Sequence, residues 1–191
     1  MIKHVLQSGK PSCTRNDVER DRILLSELPN ASTTFLVEPP LQSLTDQLWL
    51  NGWEFFAGHS SSRIDNDTGQ LVLNSSDRLT ISQLKHAMKK AIAGGLKLAI
   101  FNSCDGLGLA RELSDLQIPY LIVMREPVPD LVAQAFLKNF LISFSSGKPL
   151  YESIRESREK LQGLKDSFPC ATWLPVIYQN LAEPSLTWDD L

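Results

Sequence analysis

Two apolar runs in this chain stop abruptly at small polar turns. The first is Trp53-Glu54-Phe55-Phe56-Ala57-Gly58-His59-Ser60-Ser61-Ser62, and the second is Leu96-Lys97-Leu98-Ala99-Ile100-Phe101-Asn102-Ser103-Cys104-Asp105-Gly106. Short, nearly continuous apolar runs of this kind read as parallel strands covered on both faces, because such a strand has no solvent side to mark with polar residues. In open α/β sheets the chemistry sits in the loops that leave the carboxyl ends of the strands. His59 and Cys104 stand at those ends, 104 − 59 = 45 residues apart. That separation has room for a hairpin and one crossover helix, so neighbouring strands can carry the pair. An imidazole and a thiol delivered to one edge can act as base and nucleophile, which points to a cysteine protease.

The rest of the chain alternates strand-like and helix-like segments. Ile2 to Leu6 reads as a first strand interrupted by Lys3 and His4, with residues 1–16 left as either that strand or a leader. Asn16-Asp17 can cap a helix through Leu28, where Leu24, Leu25 and Leu28 recur at helical spacing before Pro29-Asn30. Thr33 to Val37 is β-rich and stops at Pro39-Pro40, and Leu41, Leu44 and Leu48 mark one face of a helix to Leu50. Asn66-Asp67-Thr68-Gly69, between Ser62-Arg63-Ile64 and Leu71-Val72-Leu73, predicts a surface hairpin. From Thr80, residues Leu84, Ala87, Met88, Ala91 and Ile92 predict a helix ended by Gly94-Gly95.

After Gly106-Leu107-Gly108 a short helix is expected over Leu109 to Leu116, then a strand from Tyr120 to Met124. Asp130 reads as the N-cap of a long helix carrying Val132, Ala135, Phe136, Phe140 and Phe144, broken by Ser146-Gly147-Lys148-Pro149. A charged helix from Leu150 to about Lys165, a last strand over Trp173 to Tyr178 and a loose tail from Glu183 complete the reading. Repeated strand–helix units imply a mostly parallel central sheet with helices on both faces. At 191 residues without a dividing linker, one domain spanning 1–191 is expected.

Composition narrows the partners. A net charge of −3, from 19 basic and 22 acidic residues, supplies no attraction for nucleic acid or anionic membrane. The sequence has no apolar stretch long enough to span a bilayer and no h-region at its start, so a cytoplasmic protein is expected. Cys13, Cys104 and Cys170 form no Cys-x-x-Cys pair, so no disulfide framework, metal site or cofactor is expected. His4, near the start, His86, among Lys85, Lys89 and Lys90, and the cysteines Cys13 and Cys170 read as structural or incidental.

Phe55-Phe56-Ala57-Gly58-His59 followed by Phe101-Asn102-Ser103-Cys104-Asp105-Gly106 resembles the paired histidine and cysteine motifs of CHAT-domain proteins, a bacterial branch of the caspase, separase and metacaspase group. Arg125-Glu126-Pro127-Val128-Pro129-Asp130, Phe140, Gly147 and Trp173-Leu174-Pro175-Val176 extend the similarity from about Asp17 to Asn180. The resemblance implies a caspase-like three-layer sandwich and a His59–Cys104 dyad that cleaves peptide bonds, often inside cyanobacterial proteins with other domains. By the same analogy the oxyanion donors are the backbone N–H groups of Ser60 and Cys104. It also implies a protein or peptide substrate and control by a partner protein or by further domains.

Specificity is less marked. Basic-specific relatives often carry an acidic residue two positions before the cysteine, where this chain has Asn102. Asp105 can accept a substrate cation or cap the following helix, and Arg125 and Glu126 are candidates to line the cleft. Two other functions compete with the peptidase: a non-catalytic interaction module on the same fold, and a nucleotide-binding domain suggested by Gly106-Leu107-Gly108. The last lacks both the full G-x-G-x-x-G pattern and a Walker lysine.

Overall fold

A strand buried along its whole length must be covered from two sides, and Tyr120 to Met124 is such a strand. The computed structural model describes residues 3–9, 23–37, 40–49, 53–59, 70–72, 74, 76–102, 106–126 and 128–191. Its strands are β1 (Lys3–Gly9), β2 (Ala31–Val37), β3 (Trp53–His59), β4 (Gln70–Val72), β5 (Arg78–Thr80), β6 (Leu98–Asn102), β7 (Tyr120–Met124) and β8 (Pro175–Gln179). The helices are α1 (Leu41–Trp49), α2 (Ile81–Ala93), α3 (Gly106–Leu113), α4 (Asp130–Ser145) and α5 (Leu150–Lys160). Residues 23–26 are also helical.

The main sheet is mixed, in the order β2-β1-β3-β6-β7-β8. Every pairing is parallel except β7 with β8. The sheet is thus mostly parallel, with one antiparallel strand at its β8 edge. Two helices in succession, α4 and α5, reverse the chain three times between β7 and β8 and return it antiparallel, whereas a single crossover helix reverses it twice and returns it parallel.

Alternate residues of β6 and β7 enter two separate cores. Leu98, Ile100, Tyr120, Ile122 and Met124 face the side covered by α4 and α5. Ala99, Phe101, Leu121 and Val123 face the side covered by α1, α2 and α3. On α4, Val132, Phe136, Phe140 and Phe144 recur every fourth residue and are fully buried. The three rings stack along the helix at centroid distances of 6.0 and 5.2 Å, and the Trp188 indole closes the row edge-on at 5.8 Å. Burying each ring contributes about 1.5–3 kcal/mol relative to exposure.

Local signals were followed closely in α2. The Thr80 hydroxyl accepts from the Gln83 amide while the Gln83 side chain accepts from the Thr80 amide, a complete capping box. Gly94 caps the other end and Gly95 adopts φ +112, a conformation open to glycine.

Elsewhere the structure departs from expectation. β1 runs on to Gly9, past Leu6. Leu71 and Val72 pair with Leu79 and Arg78. The turn between them is built by Asn74, whose Oδ1 accepts from the amides of Ser76 and Asp77. Asp77 in turn accepts from the Leu41 amide at the start of α1. The expected Asn66–Gly69 turn and the Asn16-Asp17 cap lie outside the described residues. Gly106-Leu107-Gly108 forms the first turn of α3 rather than a loop, because burial of Leu109, Ala110 and Leu113 outweighs the weak helix propensity of glycine. Asp130 is the first helical residue of α4, and Pro129 occupies the cap position. The charged helix ends at Lys160 and passes into a 3-10 segment.

The tail is the largest correction. Leu186, Trp188 and Leu191 are buried in the core beneath α4 and α5. The Trp188 indole donates to the Pro29 carbonyl at 3.0 Å, the Leu150 amide donates to Leu186 at 2.8 Å, and the Tyr120 hydroxyl donates to the Pro184 carbonyl. Trp188→Ala is therefore expected to cost about 3–5 kcal/mol in urea unfolding, and a change under about 1 kcal/mol would contradict this docking.

Between α4 and α5, the Glu156 carboxylate accepts from Lys148 and, at 2.9 Å, from the Ser143 hydroxyl. These bonds, that from Lys148 first, hold its pKa below the usual carboxylate value. A carboxyl lowered on folding stabilises the fold above its unfolded pKa and loses that contribution as pH falls through the folded value. The thermal-stability gap between wild type and Glu156→Gln is thus expected at neutral pH and should close in strong acid. A gap that does not vary with pH would count against it.

Candidate active site

β3 and β6 are adjacent and parallel, and their register places His59 opposite Asn102. Each is the last residue of its strand, so both stand at the carboxyl edge of the sheet. In sequence, Cys104 follows Asn102 by two positions, and α3 begins two positions later at Gly106. Ser60, Cys104 and Asp105 themselves lie outside the described residues.

The next strand brings further residues to this edge. Phe101 pairs with Val123, so β7 reaches the level of Asn102 at Met124, and Arg125 and Glu126 follow, both exposed. The Arg125 amide donates to the Leu174 carbonyl at 2.7 Å, and Met124 pairs with Pro175. The antiparallel β8 therefore starts where its parallel neighbours end. Trp173, expected as the first residue of that strand, instead closes a 3-10 turn over Ala171–Trp173 and is 64% exposed. Sequence reasoning assigned it no site role. Its signal was a large apolar residue directly before a strand-opening Leu-Pro.

Two surface cavities lie elsewhere. One, of about 490 Å³, is formed by residues including Ile23, Leu24, Leu131 and Ala135, and another, of about 360 Å³, by residues including Leu113, Gln117, Tyr178 and Leu181. The described residues that line them belong to other parts of the fold. Among the described residues, no cluster of three His, Cys, Asp or Glu side chains could hold a metal ion, and no helix is long and apolar enough to cross a membrane. His86 is exposed on α2, and Cys170 is an exposed free thiol.

The fold and this edge define an α/β protein with a histidine and the approach to a cysteine on neighbouring parallel strands. A model of the CHAT domain matches residues 52–180, about two thirds of the sequence, and the chain belongs to that family, a branch of the caspase-like peptidase group. The matched region begins later than the Asp17 expected from motifs alone. The comparison with curated proteins gave no match. Among solved structures, the chain is similar to the RcsB response regulator of Salmonella typhimurium, at 16% identity and a TM-score of 0.45, over 86% of this chain and 70% of that one. A likeness of this degree carries no functional argument.

The exposed Cys170 supplies an internal control for reactivity. If His59 favours the Cys104 thiolate, limiting iodoacetamide at mildly acidic pH should label Cys104 faster than Cys170, and His59→Ala should remove that advantage. Equal labelling in wild type, read by peptide mapping, would argue for an inert thiol.

Proposed function

We propose that this protein is a cysteine endopeptidase that cleaves peptide bonds with a His59–Cys104 dyad. The observation that carries the reading is the β3–β6 register, which sets His59 beside the strand end that leads into Cys104. In this reading the helices against both faces of the sheet form a caspase-like three-layer sandwich, and the protein works in the cytosol, where thiols stay reduced.

The chemistry follows from the two side chains. An unassisted thiol titrates near ~8.5, so His59 must take its proton for the thiolate to dominate at neutral pH. The sulfur attacks the scissile carbonyl carbon, and the backbone N–H groups of Ser60 and Cys104 receive the developing oxyanion. His59 then returns the proton to the leaving amine, and water hydrolyses the thioester left on Cys104. Ser60 supplies the same amide as the glycine found there in many relatives.

For the substrate, Asn102 offers a neutral amide where basic-specific relatives place a charge. Asp105 immediately precedes the first residue of α3, a position suited to capping that helix. Arg125 and Glu126, exposed at the neighbouring strand end, are the charged groups available to a bound peptide, and a regulatory protein partner would approach along the same edge.

Cys104→Ser keeps size and polarity but substitutes a hydroxyl too basic for one imidazole to ionise. Hydrolysis of a peptide library should fall by roughly three orders of magnitude or more while the unfolding midpoint stays nearly constant. If neither form cuts any peptide, and both bind the same partner equally, the edge is a docking surface and the peptidase reading fails.

A further inference from the structure

Trp173 is held in place by its backbone while its side chain stays in solvent. The Thr172 carbonyl accepts from the Arg158 guanidinium at 2.8 Å, the Leu174 carbonyl accepts from the Arg125 amide, and the Trp173 amide donates to the Cys170 carbonyl at 3.0 Å. Ala171 and Leu174, on either side, are buried. The turn is anchored by its smaller side chains, and its largest apolar one is left out.

Position gives that exposure a direction of use. β8 is two strands from β6, and neighbouring strands lie about 4.8 Å apart, so the start of β8, which Trp173 precedes by two residues, stands roughly 10 Å from the end of β6 along the carboxyl edge. An extended peptide advances about 3.3 Å per residue, so this distance corresponds to about three residues. Between the two lies the end of β7, with Arg125 and Glu126 exposed. A peptide lying across the strand ends with its reacting carbonyl beyond β6 would reach the indole with a side chain about three positions away.

We propose that Trp173 is a specificity-determining wall of the peptide cleft, selecting an apolar or aromatic side chain about three residues from the bond that is cut. The inference rests on the peptidase reading for the identity of that bond. An exposed indole on a hydrogen-bonded turn suits the task because it offers a large apolar face on only two rotatable bonds, with little side-chain entropy to lose on contact.

The test separates binding from cleavage. A single phenylalanine is scanned along an otherwise polar, fluorescein-labelled decapeptide, and anisotropy is measured on the Cys104→Ser protein with Trp173 intact, Trp173→Phe or Trp173→Ala. One phenylalanine position should tighten binding tenfold or more, Trp173→Phe should keep most of that gain and Trp173→Ala should remove it. No positional preference, a preference unaffected by Trp173→Ala, or no binding to any form would overturn the proposal. Cleavage is then measured with Cys104 intact. If the preferred peptide is cut about three residues from its phenylalanine, both readings stand. If it is bound through Trp173 but not cut, the peptidase reading fails and the indole remains the recognition wall.

Discussion

The central strands β6 and β7 have no face left for water. Their odd and even residues are claimed by different helix layers, with α4 and α5 on one side and α1, α2 and α3 on the other. A strand in that situation is joined to parallel neighbours through helices that cross over the sheet, since a tight hairpin cannot return it in the same direction. Every parallel strand then begins at one edge and ends at the other. The meeting of His59 with Asn102 follows from that common polarity, and Arg125 meets the start of β8 because that strand alone runs the other way. The placement of the candidate site is therefore a by-product of how the apolar surface is buried.

The same burial decides which elements can be read from sequence. Tyr120 to Met124 was legible to the residue, because an unbroken apolar run after Pro119 has few other ways to fold. Thr80, Gln83 and Gly94-Gly95 marked both ends of α2 through hydrogen bonds made within a few residues. Elements whose stability comes from afar were misread. β5 has Leu79 as its one buried residue, and the helical state of Gly106-Leu107-Gly108 depends on packing that propensity opposes. Leu186 and Trp188 sit among proline, serine and aspartate, so their burial left no periodic trace.

At the site, the end of β3 at His59 was legible because strand ends are marked by a change from apolar to small polar residues, whereas β6 ends at Asn102, two residues before the Cys104 expected there. The antiparallel entry of β8 was not legible, since strand direction depends on the number of crossings between β7 and β8 and leaves no mark in the strand itself. With the direction unread, Trp173 could not be placed on the same edge as His59.

The aromatic row on α4 has a consequence for how the chain folds during synthesis. Its last partner, Trp188, bonds to Pro29, 159 residues earlier. Contacts of such long range raise contact order, and contact order slows folding because the loop must be closed before its contacts form. A ribosome delivers β6, β7 and the Phe136–Phe144 stripe well before Trp188. Throughout that interval the row lacks its closing ring, so its Phe144 end stays open on the nascent chain. The period of greatest aggregation risk is thus written into the position of one tryptophan, and it lasts until residue 188 has been made.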